Sequence, residues 1–165
     1  MTPATFEVSK RQLREGLPDC LNVPRWVDDV AGRGPYASLE DLLDAAGLAA
    51  TPLSAEEVDQ ALADHPRIGE RPAGSGASAS FSTAEQAGSA SDDADLAAAL
   101  AEGNRAYEER FGRIFLIRAA GRSRPEILAE LERRLLLPPD DEVKVVASEL
   151  RDIALRRIRQ MFGPG

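Results

Sequence analysis

From Asp140 to Phe162 the chain reads DDEVKVVASELRDIALRRIRQMF. Val143, Val146, Ala147, Leu150, Ile153, Ala154, Ile158 and Met161 recur along it at helical spacing and make one apolar stripe. Pro138 and Pro139 stand just ahead, so one long helix is expected from Asp140 to about Phe162. A stripe of that length must be covered, and the rest of the chain supplies helical partners with almost no strand alternation. Ser38 opens a segment carrying Leu39, Leu42, Leu43 and Ala46, with Gly47 as its expected stop. Ser54 and Glu57 have capping-box spacing, with Leu53 and Val58 placed as the hydrophobic staple. That helix turns Val58, Ala61 and Leu62 inward and ends at Asp64-His65-Pro66, because the residue before a proline resists the helical region. Ser82 starts another helix, weakened near Gly88. A further one runs from about Asp92 to Phe111, with Leu96, Leu100, Gly103, Tyr107 and Phe111 on one stripe. Ser123 and Glu126 cap a helix bearing Ile127, Leu128, Leu131 and Leu135. The apolar run Ile114–Ala120 fits either a helix end or an extended connector. Small residues from Pro72 to Ser80 read as a flexible loop. The expected fold is all-α: one domain over residues 1–165, a compact bundle of roughly seven to nine helices.

Composition narrows the function classes. A length of 165 residues is enough for one real core, and 5% aromatics beside abundant alanine suits close-packed helices. No window approaches the roughly 18 apolar residues of a membrane span. Met1–Lys10 lacks the basic-then-apolar order of a secretory signal, so none is expected there. The net charge of −8 argues against nucleic acid as a partner. An anionic small substrate would need a locally basic pocket, which directs attention to individual arginines. Cys20 is the only cysteine and His65 the only histidine. Neither a disulfide nor a clustered metal site follows from such a set, so no metal and a reducing, cytoplasmic setting are expected.

Three residues stand out on chemical grounds. His65 carries the side chain that exchanges protons most readily near neutral pH, and it sits where a helix ends against proline. For a lone histidine, an exposed helix-end side chain is the simpler account. Ser82 and Glu85 again have capping-box spacing, yet Phe81 finds the amide of Gln86 where a staple would need an apolar partner. A hydroxyl, a carboxylate and an amide around one helix start suit a ligand as well as a cap. Arg157 falls inside the apolar stripe of the last helix, whereas Arg156 points away from it. A buried arginine is rare unless paired. It serves a structural ion pair, a stem reaching the rim, or a pocket that grips a carboxylate through the guanidinium fork.

Four segments in register carry a resemblance. They are His65-Pro66-Arg67-Ile68-Gly69, Ser82-Thr83-Ala84-Glu85-Gln86, the run Ile114–Ser123 (IFLIRAAGRS), and the ending Glu149–Ile158 (ELRDIALRRI). Leu21–Asp29 and Pro35-Tyr36 extend the match towards the start. Together they resemble the family of 2-oxo-4-hydroxy-4-carboxy-5-ureidoimidazoline (OHCU) decarboxylases of urate breakdown. The resemblance implies an all-helical, homodimeric enzyme that converts OHCU to (S)-allantoin and CO2 with no cofactor. It implies His65 and Glu85 as catalytic residues. Pro66, Ser82, Thr83, Ala84, Glu85, Gln86, Ile117, Arg118, Ala119, Ala120, Gly121 and Arg157 are then the substrate-binding set. One departure is visible: the family often has an asparagine near position 137, where this chain has Leu137 before two prolines.

Such residue types suit the reaction. When CO2 leaves the ring carbon, the adjacent C=N accepts the electron pair, so the substrate is its own electron sink. The protein has to orient a carboxylate, stabilise developing charge and exchange a proton on one face. A helical interaction module that had lost activity would lack a polar residue of this set, and none is missing. A hydrolase acting on a related ureide would need a second water-activating group, and no candidate is present.

Overall fold

The computed structural model describes residues 6–63 and 94–163. Among the described residues there are seven helices and no strand: α1 (Lys10–Cys20), α2 (Pro24–Gly32), α3 (Leu39–Ala49), α4 (Ala55–Leu62), α5 (Ala94–Phe111), α6 (Arg124–Arg134) and α7 (Pro139–Phe162). His65, Pro66, the tract 72–80, and Ser82–Gln86 with the helix expected to begin there all lie outside the described residues.

Local chemistry sets most helix ends. Ser9, Ser54 and Ser123 each accept from the backbone N–H three residues on, while Gln12, Glu57 and Glu126 reach back to close a capping box. Ser38 caps α3 through the Asp41 amide at 3.1 Å. Pro24 and Pro139 occupy first-turn positions, where a missing N–H costs nothing. Gly47 does not stop α3, which continues to Ala49. Glycine inside a helix costs only about 1 kcal/mol relative to alanine, and burial of Ala46 and Ala50 on either side offsets it.

The long helix α7 is the spine of the larger cluster. It packs against α1, α3 and α4, and α2 closes over α1 and α3. Leu13, Leu17, Trp26, Val30, Leu42, Val58, Leu150, Ile153 and Ile158 meet in this core. The Trp26 indole N–H is anchored to the Ala46 carbonyl at 2.9 Å, which ties α2 to α3. A second cluster lies between α5 and α6 and holds Leu100, Tyr107, Phe115, Ile127 and Leu131. Gly103 makes that pairing close: a Cβ there would sit 2.5 Å from Leu131 Cδ2.

The two clusters share a buried polar junction. Arg134 on α6 is 0% exposed and Glu142 on α7 is 2% exposed. Arg134 Nε donates to Glu142 Oε1 at 2.8 Å, and a second guanidinium nitrogen reaches the same oxygen. Tyr107 on α5 donates its hydroxyl to that oxygen at 2.5 Å, and Arg134 Nη1 donates to the Leu116 carbonyl at 2.7 Å. The Arg134 guanidinium also lies 4.7 Å from the centre of the Phe115 ring. Burial, with the carboxylate beside it, pushes the Tyr107 phenol above its ordinary range, so the phenol stays protonated as donor. Arg134→Met should cost about 3–5 kcal/mol, because it strands a buried carboxylate. Replacing Arg134 and Glu142 together by apolar residues should recover much of that loss. Urea denaturation of the single and double variants checks this, and equal losses would contradict it.

Candidate active site

The segment Ile114–Ala119 is neither helical nor turned. Its side chains alternate: Ile114 and Leu116 belong to the α7 cluster, whereas Phe115, Ile117 and Ala119 belong to the α5–α6 cluster. That is the two-residue period of an extended chain, in which residues i and i+2 also share a backbone edge. The apolar run is therefore the extended connector and serves as a wall common to both cores.

One edge of this wall is held by charged side chains. Leu116 offers its carbonyl to Arg134, and Arg118 offers its N–H to Glu149 Oε2 at 3.2 Å. Glu149 Oε1 accepts from Arg122 Nη1 at 3.3 Å. The chain then reverses at Ala120–Gly121, where the Arg122 N–H returns to the Ala119 carbonyl at 3.1 Å. Gly121 has φ +80°, a conformation that side-chain-bearing residues rarely adopt. Ser123 then caps α6 directly. On the opposite edge, no hydrogen bond within the described residues involves the N–H of Ile117 or Ala119, although both residues are buried. Buried amides are nearly always paired, so this edge is suited to a polar ligand.

Arg157 lies two turns beyond Glu149 on the same face of α7, about 12 Å along the axis. It is 2% exposed, while Arg156 is exposed. Its Nη1 donates to the Asp19 carbonyl at the end of α1, at 3.2 Å. Cys20 is next to it and 1% exposed. Burial pushes the Cys20 thiol up to about 12, outweighing the opposing pull of the Arg157 charge. Cys20 is thus a neutral packing residue and not a nucleophile.

Of the site residues expected from sequence, the structure brings Ile117, Arg118, Ala119, Ala120 and Gly121 together in one wall, and places Arg157 on the helix behind it. Among the described residues, no group of His, Cys, Asp and Glu side chains is placed to share a metal ion, and no helix is long and apolar enough to cross a membrane. The family model for OHCU decarboxylase matches residues 7–159. The chain belongs to the OHCU decarboxylase family. It is 33% identical over 133 residues to the mouse 2-oxo-4-hydroxy-4-carboxy-5-ureidoimidazoline decarboxylase, covering 78% of this chain and 74% of that protein. It is 30% identical over 146 residues to the uric acid degradation bifunctional protein TTL of Arabidopsis thaliana. That match takes in 87% of this chain but spans only 45% of the Arabidopsis protein. In structure it is similar to an OHCU decarboxylase crystallised in the presence of (S)-allantoin, with TM-score 0.78 and 25% identity over 92% of this chain and 99% of that one.

Within this OHCU decarboxylase fold, sequence reasoning missed Arg134, Glu142 and Glu149. A signal was present. Glu142 and Glu149 both lie within about 40° of Ile153 at 100° per residue, inside the apolar stripe. Both are buried. The state of Cys20 gives a direct check on this end of α7: a thiol reagent such as DTNB should fail to label native protein at neutral pH and react fully on denaturation. Rapid labelling of the native state would mean that α1 and α7 do not pack as described.

Proposed function

We propose that this chain is a carboxy-lyase that converts OHCU to (S)-allantoin and CO2 in urate catabolism, with no cofactor. The observation that carries the reading is the match of almost the whole chain to the OHCU decarboxylase family and fold. The wall at Ile117–Gly121 supports it, since two inward amides suit an oxygen of a ureido or ring carbonyl.

In this reading the guanidinium of Arg157 fixes an anionic group of the substrate, whose own bond then breaks: the electron pair of the C–CO2 bond flows into the adjacent C=N and CO2 departs. The ring nitrogen that receives the pair takes up a proton, and the ring hydroxyl loses its own as the ring carbonyl forms. A proton delivered to the neighbouring carbon from one face sets the hand of the product. His65 exchanges a proton at the hydroxyl or at that carbon, and Glu85 with Ser82, Thr83, Ala84 and Gln86 holds the ureido side against Pro66. Arg118, Ala119 and Ala120 complete the wall. The same reading makes the enzyme a cytoplasmic homodimer, the assembly that the resemblance implies and the setting that a lone cysteine suits.

The decisive experiment generates OHCU in situ from urate and follows the optical rotation of the allantoin formed. The wild type should give the (S) enantiomer, whereas spontaneous decay gives racemate. His65→Asn should keep the fold and slow the reaction by about 10²–10⁴-fold; unchanged turnover would end the assignment of His65. Arg157→Lys should raise KM markedly with little change in Tm, because an ammonium does not reproduce the bidentate fork. Arg156→Lys should be silent to within about 0.5 kcal/mol. If Arg156→Lys is the damaging change, the arginine assignment is wrong.

A further inference from the structure

Glu149 is buried on a helix that otherwise turns apolar side chains inward at this level, beside Val146, Leu150 and Ile153. A carboxylate in such a place needs a reason beyond packing. Its two oxygens divide their work. Oε2 accepts the main-chain N–H of Arg118 at 3.2 Å, and Oε1 accepts Arg122 Nη1 at 3.3 Å. The first bond grips the wall in its middle; the second grips it just past the Gly121 reversal. Arg134 holds the Leu116 carbonyl two residues earlier, on the same edge.

Edge geometry gives this grip a consequence. In an extended chain, fixing the N–H of Arg118 towards α7 obliges the N–H groups of Ile117 and Ala119 to point the opposite way. Their side chains go to the α5–α6 cluster, as the alternation requires. The direction of these two amides is therefore set by a carboxylate on the opposite edge of the wall.

We infer that Glu149 is a positioning residue for the decarboxylation, orienting the Ile117 and Ala119 amides by holding Arg118 from behind. The inference rests on the reading of the wall as part of the substrate site. Arg122 is the cationic partner of the carboxylate, in a pair exposed 26% and 10% at the two side chains. An acceptor oxygen, more than the charge, is what the positioning needs.

Two variants separate this role from a structural one. Glu149→Gln keeps an acceptor for the Arg118 N–H, whereas Glu149→Leu keeps the shape without it. Glu149→Leu should lose about 10–100-fold in kcat/KM, the usual worth of a hydrogen bond to a charged group. Glu149→Gln should recover most of that loss although it breaks the Arg122 ion pair. A purely structural Glu149 would show the two variants equally impaired in folding and unchanged in kcat/KM per folded molecule, which overturns the inference. A second measurement needs no variant. In 15N-labelled wild type, titration with (S)-allantoin should shift the amide resonances of Ile117 and Ala119 strongly, leaving the Arg118 amide close to its free position. A dominant shift at Arg118 overturns the inference by showing that its N–H is not committed to Glu149. A wild-type enzyme that yields only racemic allantoin overturns the functional reading and this inference with it. An active wild type with Glu149→Leu at full kcat/KM overturns this inference alone.

Discussion

A carboxylate that water cannot reach has to be matched by the protein, and Glu142 imposes that demand at the point where the two cores meet. Arg134 and Tyr107 answer it from α6 and α5, so three helices are brought to a single oxygen atom. Swapped for apolar residues, such a junction would cost the protein little stability or none. Its value is geometric. Greasy surfaces slide past one another at small cost, but a guanidinium with one arm on Glu142 and another on the Leu116 carbonyl admits one arrangement. The extended wall inherits its position from that arrangement, and the proposed site inherits its shape from the wall.

Helix α7 carries this logic along its length. Glu142, Glu149 and Arg157 share its buried face. The first joins helices, the second grips main chain, and the third stands beside the end of α1, in the position proposed to meet substrate. One unbroken helix spaces all three, and such rigidity is what a site needs when its groups must agree to within a fraction of an ångström. The long apolar stripe that organises the bundle thereby serves as a ruler for its polar groups.

Much of this was legible in the residues. Serine followed three positions later by glutamate marked the starts of α4 and α6, because the cap is a local interaction that needs no tertiary partner. Helical phase distinguished Arg157 from Arg156 for the same reason. Ile114–Ala119 stayed open between a helix end and a connector, since an extended segment buried on both sides shows no polar alternation; its period of two appears only once two separate cores exist to receive the side chains. Glu142 and Glu149 were passed over because acids are frequent along this helix, and the ordinary expectation for an acid is a solvated face. The roles of His65 and Glu85 came from family resemblance, as spacing alone favoured a plain helix-end histidine and left a helix cap as good a reading as a ligand site.

The alternating wall also bears on what evolution can change here. Substituting one apolar residue for another between Ile114 and Ala119 alters a contact in one core. Inserting or deleting a single residue does something different in kind: every downstream side chain would exchange cores and every amide would face the other edge. Leu116 would present its N–H and carbonyl away from Arg134, and the oxygen of Glu149 would meet the wrong peptide. The segment can therefore drift in composition while its length stays locked, even though it is formally a loop, the kind of element that elsewhere absorbs insertions most freely.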